Sequence, residues 1–309
     1  MFEPTLNYVS CPETWSATAP AEGASAPQHR MAYWQWATPG AQACNQVVVC
    51  VHGLSRQGRD FDVLARALLE RSTQPLRVIC PDVVGRGHSD WLTDPMAYQI
   101  PHYAADMLAL LQQLQPTTLD WVGTSMGGLI GMVLAGQPGL PLPCPVRRLV
   151  LNDVGPNVQW QALERIGQYL GNTGFFRTEQ EAADALWAGS TTFGAHTPEQ
   201  WLALSRPMLK PVPGGFTLHY DPAIAKPFAA LTREDAAQGD VLLWQLYDRI
   251  TARTLVTRGA DSDLLTPPTA QAMTQRGPKA RIVEFAGVGH APTLVAQDQV
   301  DAVTSFLLA

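Results

Sequence analysis

The chain has 309 residues, of which 46% are hydrophobic, and its 21 Lys and Arg against 27 Asp and Glu give a formal net charge of -6. This length and apolar content can bury a large core without disulfides or metals. The acidic balance offers no basic surface for nucleic acid or anionic lipid. The first ten residues lack a signal-peptide pattern, and no stretch approaches the roughly 20 apolar residues of a membrane span. We therefore expect a soluble, cytoplasmic protein that binds neither nucleic acid nor membranes.

The first 45 residues contain one strand candidate, MAYWQWA at 31–37, whose alternation of large and small side chains predicts an edge hairpin. The low-complexity stretch at 17–27 is typical of a surface loop.

From residue 46 onward, short β-branched runs alternate with amphipathic segments of helical spacing. This alternation predicts an α/β fold with a mostly parallel sheet flanked by helices. The predicted strands are 46–53, 76–82, 118–123, 147–153, 252–259 and 280–287. The predicted helices are 59–72, 100–114, 126–136, 268–276 and 294–308.

The alternation stops between about 155 and 240, where Gly, Pro and aromatic residues mix with short helical pieces and no strand is predicted. A long insertion of this kind commonly covers the ligand crevice at the carboxyl ends of the strands. We expect a helical cap at 155–240 on a core formed by 1–154 and 241–309; a packing extension without ligand contact is the alternative. The aromatic residues of the insertion either form its own core or line a pocket: Trp160, Tyr169, Phe175, Phe176, Trp187, Phe193 and Trp201.

The five cysteines do not form a metal-binding or disulfide pattern. Cys50 and Cys80 lie inside apolar strand-like runs, where a thiol usually behaves as a small buried hydrophobe. Cys11, Cys44 and Cys144 lie in loop-like surroundings without a C-x-x-C spacing or a neighbouring histidine. No metal site is expected.

The pentapeptide G-T-S-M-G at 123–127 lies directly between a predicted strand and a predicted helix. A serine on such a sharp turn requires small neighbours, and Gly123 and Gly127 meet this need. The helix N-terminus also favours developing negative charge. Ser125 is therefore a candidate nucleophile.

The run V-V-V-C-V-H-G-L at 47–54 contains a strand that ends in His52 and Gly53. The loop after this strand lies beside the serine turn in a doubly wound sheet. The N–H groups of Leu54 and Met126 are candidates for an oxyanion hole, with Gly53 as the small residue of the turn. We interpret His52 as a structural histidine bonded to loop backbone, because a catalytic base at this point of the strand would face the loop.

His290 follows the last predicted strand within F-A-G-V-G-H-A-P, and the glycines of that loop allow it to reach the serine. A neutral imidazole there can take the serine proton and return it to the leaving group. The carboxylate that orients it is expected on the loop at 258–267, where Asp263 is preferred over Asp261. Asp153, at the end of another strand, is a third candidate.

The run P-D-V-V-G-R-G-H-S-D at 81–90 is glycine-rich but lacks the spacing and the lysine of a phosphate-binding loop. Nucleotide binding is therefore not expected.

Together these motifs resemble the α/β-hydrolase superfamily, whose pattern is H-G after one strand, D-x-x-G-x-G-x-S, G-x-S-x-G, then a late acid and a late histidine. The resemblance covers about residues 45–309 and includes the order Ser125, Asp263, His290. It implies acyl transfer through an acyl-enzyme on Ser125, with a small-molecule substrate and no cofactor.

The serine at position 125 limits the resemblance to haloalkane dehalogenases and epoxide hydrolases to the fold, because those relatives need an aspartate nucleophile. A carboxylesterase acting on a small, apolar substrate is the preferred function. A C–C bond hydrolase or an acyltransferase on the same triad remains an alternative, although Thr124 replaces the asparagine usual in C–C hydrolases. A ligand receptor without turnover is a further alternative, and the oligomeric state is left open.

Overall fold

A computed structural model describes residues 2–13, 28–41 and 45–309. The predicted loop at 17–27 and Cys44 lie outside the described residues. The strands are β1 (Thr5–Pro12), β2 (Gln28–Ala37), β3 (Gln46–Val51), β4 (Arg77–Pro81), β5 (Thr118–Thr124), β6 (Val146–Asn152), β7 (Leu209–Val212), β8 (Gly215–Leu218), β9 (Arg253–Gly259) and β10 (Arg281–Phe285).

Within the described residues, eight of these strands form one sheet in the order β1-β2-β4-β3-β5-β6-β9-β10. The six strands from β4 to β10 in this order pair in parallel, which confirms the predicted α/β sheet. β1 and β2 pair antiparallel, and β2 pairs antiparallel with β4, so the predicted hairpin lies at one edge of the sheet.

The α-helices in the described part of the chain are α1 (Asp62–Arg71), α2 (Ile100–Leu114), α3 (Met126–Gly136), α4 (Trp160–Tyr169), α5 (Glu179–Gly189), α6 (Pro198–Ser205), α7 (Ala225–Ala230), α8 (Arg233–Tyr247), α9 (Pro267–Met273) and α10 (Gln297–Leu308). Short 3-10 helices cover Gly58–Phe61, Pro95–Ala97, Thr191–Phe193, Arg206–Met208 and Pro222–Ile224.

Helices cover both faces of the sheet, and β3 illustrates the result. Val47, Val49 and Val51 pack into one hydrophobic cluster, whereas Val48 and Cys50 pack into another on the opposite face. Side chains alternate between faces along a strand, so a strand buried on both faces has a continuous apolar sequence. The interpretation of Cys50 as a small buried hydrophobe is thereby confirmed.

The segment between β6 and β9, here called the insertion (residues 155–252), contains α4 to α8 and also the antiparallel hairpin β7–β8. The expectation that strands are absent from it is wrong. Four-residue strands at Pro and Gly positions give too little alternation to detect in the sequence. α8 continues across residue 240 and packs on α3, where a Cβ on Gly136 would lie 2.2 Å from the backbone oxygen of Leu246.

Cys11 was expected in a loop without a neighbouring histidine, and this is wrong, since it lies buried in β1. The hairpin packs on α2 and brings Cys11 beside His29 and Asp106. One potential metal-ligand atom of each of the three side chains lies within 4.8 Å of the other two. His29 Nε2 lies 3.1 Å from Asp106 Oδ2. Burial, with the nearby Asp106 charge, raises the pKa of the Cys11 thiol.

In the described residues, no helix combines the length and the apolar character needed to cross a bilayer.

Candidate active site

Ser125 occupies a sharp turn between β5 and α3. Its backbone angles are φ 51° and ψ -114°, so a non-glycine residue is held in a region that costs free energy. The turn is fixed by the Ser125 amide, which donates to the Asn152 carbonyl at 3.0 Å, and by the Ser125 carbonyl, which accepts from Gly128 at 2.8 Å. The serine side chain therefore lies at the start of α3, beside backbone N–H groups that the helix leaves unpaired.

The two glycines that flank the serine are required by close backbone contacts. A Cβ on Gly123 would lie 2.2 Å from the Gly127 oxygen, and one on Gly127 would lie 2.0 Å from the Val51 oxygen. Real Cβ atoms do not approach backbone this closely, so the strand and helix can meet at this turn only through glycine.

The His290 ring lies between a hydroxyl and a carboxylate. Nε2 is 3.0 Å from Ser125 Oγ, and Nδ1 is 2.7 Å from Asp153 Oδ2. A carboxylate only accepts, so Nδ1 carries the hydrogen and Nε2 is left to accept from the serine hydroxyl. This is the arrangement that a nucleophile, base and orienting acid require.

The Asp153 side chain is fully buried, and further donors satisfy its carboxylate. Oδ1 accepts from the Gly259 amide at 2.9 Å, and Oδ2 accepts from Ser262 Oγ at 2.6 Å in addition to His290. Hydrogen bonds of this kind compensate a buried carboxylate for the water that it loses on folding. Asp153 is thus positioned to hold the imidazole and to stabilise its protonated form.

Asp263 does not reach His290, and the expectation that it orients the histidine is corrected. Its carboxylate pairs with Arg165 of α4, with Nε to Oδ2 at 2.8 Å and Nη2 to Oδ1 at 3.0 Å, and its side chain is 50% exposed. Asp261 is also exposed. Ser262, which lies between the two aspartates, is buried and donates to Asp153 instead.

The loop after β3 lies against the serine turn, as its position in the sequence predicted. A Cβ built on Gly53 would lie 3.8 Å from Ser125 Cβ, and Leu54 follows directly. Met126 is the first residue of α3, where an N–H has no partner within the helix. Both candidate oxyanion residues are thus close to Ser125.

Arg86 was not singled out in the sequence, although it lies in the D-x-x-G-x-G-x-S run. Its fully buried guanidinium donates from Nε to the Leu54 carbonyl at 2.8 Å and from Nη1 to the Val84 carbonyl at 2.7 Å, and Nη2 lies 3.6 Å from Met126 Sδ. The side chain also lies over the Tyr103 ring at 4.9 Å. One arginine therefore contacts both candidate oxyanion residues, Leu54 through its carbonyl and Met126 through its side chain.

His52 is structural, as predicted. Its Nδ1 donates to the Gly53 carbonyl at 2.7 Å, and its Nε2 accepts from the Val83 amide at 2.9 Å. Burial lowers the pKa of His52 to about 3, so the ring is neutral. Burial likewise raises the pKa of the neighbouring Asp82 to about 6, although that carboxylate accepts from the amides of Gly58 and His88.

Ser125 and His290 open into a cavity of about 420 Å³ between the sheet and the insertion. This volume suits a small ligand. The insertion contributes mostly apolar side chains to the lining: Ile166, Tyr169, Phe176, Leu186, Phe193, Leu204, Met208 and Leu218. The aromatic residues of the insertion therefore do both things that the sequence left open. Trp187 and Trp201 pack within the insertion itself. Tyr169, Phe176 and Phe193 line the cavity.

Residues 48–303 match the family model described as "Alpha/beta hydrolase family". A 3-hydroxybutyrate-oligomer hydrolase from Cupriavidus necator is 48% identical over 282 residues, which cover 90% of this chain and 92% of the relative.

Two solved structures superimpose on nearly the whole chain. A putative hydrolase from Rickettsia typhi superimposes with a TM-score of 0.82 at 28% identity, covering 98% of each chain. An alpha/beta hydrolase from Novosphingobium aromaticivorans superimposes with a TM-score of 0.79 at 33% identity, covering 99% of each chain.

Proposed function

The chain belongs to the alpha/beta hydrolase family and is a hydrolase of that kind, and we propose that it is a serine esterase that cleaves short oligomers of 3-hydroxybutyrate. The observation that carries the proposal is the hydrogen-bonded chain from Ser125 Oγ through His290 to Asp153, at the floor of a cavity of about 420 Å³.

In the proposed reaction, Ser125 Oγ attacks the ester carbonyl carbon while its proton passes to His290 Nε2. The negative charge that develops on the carbonyl oxygen is received by the N–H groups of Leu54 and Met126. Collapse of this tetrahedral species breaks the ester bond, and the departing alkoxide takes the proton from His290. The product of this half-reaction is an acyl-enzyme on Ser125 and a free hydroxy acid.

Water then repeats the sequence. His290 removes a proton from water, the hydroxide attacks the acyl carbon, and the proton is returned to Ser125 as the second product leaves. Asp153 keeps its hydrogen bond to Nδ1 throughout and stabilises the imidazolium. The net reaction consumes one ester and one water and gives one carboxylic acid and one alcohol.

We further propose that the insertion acts as the cap over this reaction. Its side chains form the apolar side of the cavity, and it is tied to the core where the Gly87 amide donates to the His219 carbonyl at 2.9 Å and the Asp221 amide donates to the Gly85 carbonyl at 2.7 Å. An apolar cover excludes water and strengthens the hydrogen bonds to the developing charge.

The substrate class is supported by the 48% identical relative, which is named for 3-hydroxybutyrate oligomers. Such an oligomer has small methyl-bearing repeat units joined by carboxylic esters, and these units match a cavity lined by Leu, Ile, Met and Phe side chains.

The test is hydrolysis of the 3-hydroxybutyrate dimer and trimer, followed by chromatography of the monomer, with wild type and Ser125→Ala. Labelling with a fluorophosphonate probe and mass spectrometry locates the nucleophile. We expect monomer release and labelling at Ser125 in the wild type, and neither in the alanine variant. Ser190→Ala is the matched control, because Ser190 lines the same cavity.

Labelling at Ser125 with hydrolysis of p-nitrophenyl esters but not of either oligomer would overturn the substrate and leave the esterase mechanism. Full activity of Ser125→Ala would overturn both.

A further inference from the structure

Two arginines line the cavity that holds Ser125 and His290, and their charges are balanced in different ways. Arg56, from the loop after β3, donates to Asp60 from Nε and Nη2, each at 2.7 Å. Asp60 lines the cavity too, so an anion approaching Arg56 meets a carboxylate beside it. The other arginine, Arg165, lines the cavity as well, but its counterion Asp263 is not among the described residues of the lining.

The pairing between Arg165 and Asp263 uses one edge of the guanidinium. Nε and Nη2 donate to the two oxygens of Asp263, as described above. Because the group is planar with five donors, the two hydrogens of Nη1 lie away from this edge. Asp263 therefore orients the guanidinium through two of its five donors, and Tyr169, which also lines the cavity, is a second neighbour of the group. The donors that Asp263 does not use face this side, where a further acceptor can bind.

The loop that carries Asp263 also supports the catalytic arrangement. Ser262, the preceding residue, donates to Asp153 Oδ2 at 2.6 Å. One short loop thus carries the counterion of Arg165 and also donates a hydrogen bond to the acid that orients His290. Arg165 is thereby connected, through Asp263 and Ser262, to the carboxylate beside His290.

An oligomer of 3-hydroxybutyrate ends in a free carboxylate one repeat unit beyond its last ester. If that ester is to reach Ser125, the carboxylate has to enter or border a mainly apolar cavity, where an unpaired charge is costly. A planar guanidinium matches a carboxylate through two parallel hydrogen bonds. The Arg165 side chain is 38% exposed and lines the cavity, so a ligand in the cavity can reach it.

We propose that Arg165 is a specificity-determining residue that binds the terminal carboxylate of the ester substrate, with Asp263 holding its guanidinium in place. This inference rests on the function proposed above. It predicts that the enzyme favours esters whose alcohol portion ends in a carboxylate over the same esters with that group masked.

The experiment compares the 3-hydroxybutyrate dimer as free acid with its methyl ester, in wild type, Arg165→Gln and Arg165→Lys, at a pH where the free acid is ionised. For the wild type we expect a higher kcat/KM on the free acid. Arg165→Gln should lower kcat/KM for the free acid by about 10- to 100-fold, mainly through KM, which is the effect of losing hydrogen bonds to a charged group. The methyl ester should change by less than about threefold.

Arg165→Lys retains the charge without the planar fork, so its kcat/KM on the free acid should lie between the other two values. Equal losses on the two substrates would mean that Arg165 has a structural role only, and would overturn the inference. Equal wild-type rates on the acid and the methyl ester would also overturn it, while the proposed esterase function would stand. If the wild type cleaves neither substrate, the proposed function itself fails.

Discussion

The Asp153 carboxylate lies 2.7 Å from His290 Nδ1, although 137 positions separate the two residues in the chain. The sheet explains this contact. β6, β9 and β10 are parallel neighbours, so the residues that follow them meet at one edge. Asp153 follows β6, Ser262 follows β9 and His290 follows β10, and the three side chains form one hydrogen-bonded group.

The first prediction concerns the acid of this group. Asp153→Asn replaces an acceptor by an amide that can favour the wrong imidazole tautomer. We expect kcat on p-nitrophenyl butyrate to fall by about 10⁴-fold, as for loss of the acid in other triads. Steady-state kinetics measures the loss, and far-UV circular dichroism verifies that the variant is folded.

Asp261→Asn is the matched control, since Asp261 is an exposed aspartate directly before Ser262 on the loop after β9. The kcat of this variant should stay near that of the wild type. Asp263→Asn should keep kcat on this uncharged ester within about tenfold of wild type, because its partner is Arg165. A larger loss in Asp263→Asn than in Asp153→Asn would contradict the assignment of the acid.

The second prediction concerns Arg86, a positioning residue behind Leu54 and Met126. Arg86→Lys keeps the charge but cannot donate in the same fork to the carbonyls of Leu54 and Val84. The Leu54 peptide should then lose its orientation. We expect kcat to fall by about 10- to 100-fold with little change in KM, less than the loss of a complete oxyanion donor.

The control is Arg206→Lys, because Arg206 is a surface arginine with 57% of its side chain exposed and a carboxylate partner in Glu179. Both variants are assayed on p-nitrophenyl butyrate, and their unfolding is followed in urea. A loss for Arg86→Lys that lies wholly in KM, or in stability with unchanged kcat, would assign Arg86 a structural role without an effect on the oxyanion loop.

The sequence predicted the fold and the serine turn because both depend on local patterns. Six strands can be identified directly from their apolar composition. Gly123 and Gly127 flank Ser125 at the spacing that a sharp turn requires. The acid was predicted on the wrong loop because the loop after β9 offered two aspartates, and no local pattern distinguishes an exposed carboxylate from an orienting one. The deciding observations are non-local: Asp153 is buried between β6 and β9, and Asp263 meets Arg165 from the insertion.

Arg86 could be detected only once the loops were in contact, because 32 positions separate it from the Leu54 carbonyl it holds. The β7–β8 hairpin was missed for a related reason. Its strands of four residues each pair mainly with one another and contact Phe176 through a single bridge, so their conformation depends on neighbours more than on propensity.

The third prediction concerns the glycine that follows the serine turn. Gly127→Ala places a Cβ 2.0 Å from the Val51 oxygen, so β3 or α3 has to move. We expect a loss of more than about 2 kcal/mol in the free energy of unfolding, together with most of the activity. Gly239→Ala, within α8, meets nothing within 4 Å and should stabilise the protein by about 0.5–1 kcal/mol. Urea unfolding of both variants measures the contrast, and equal effects would contradict the close packing at the turn.

The last prediction uses the opposed titrations of His52 and Asp82. The pKa of His52 falls from 6.5 to about 3 in the folded protein, so the unfolded chain binds the extra proton, and stability from this group is lost as pH falls from about 6.5 to 3. The pKa of Asp82 rises from 3.8 to about 6, so the folded protein binds the extra proton, and stability from this group is lost as pH rises from about 4 to 6.

Between pH 4 and 6 the two slopes cancel in large part, because each amounts to about 1.4 kcal/mol per pH unit. Asp82→Asn removes one of them, so the slope of its unfolding free energy against pH should exceed that of the wild type by about this amount in the same window. Urea unfolding at pH 4, 5, 6 and 7 measures the slopes, and NMR of the His52 ring checks independently that it stays neutral at pH 5. If the unfolding free energies of variant and wild type depend on pH in the same way, and the His52 ring protonates near pH 6, then burial does not control the pKa of either His52 or Asp82.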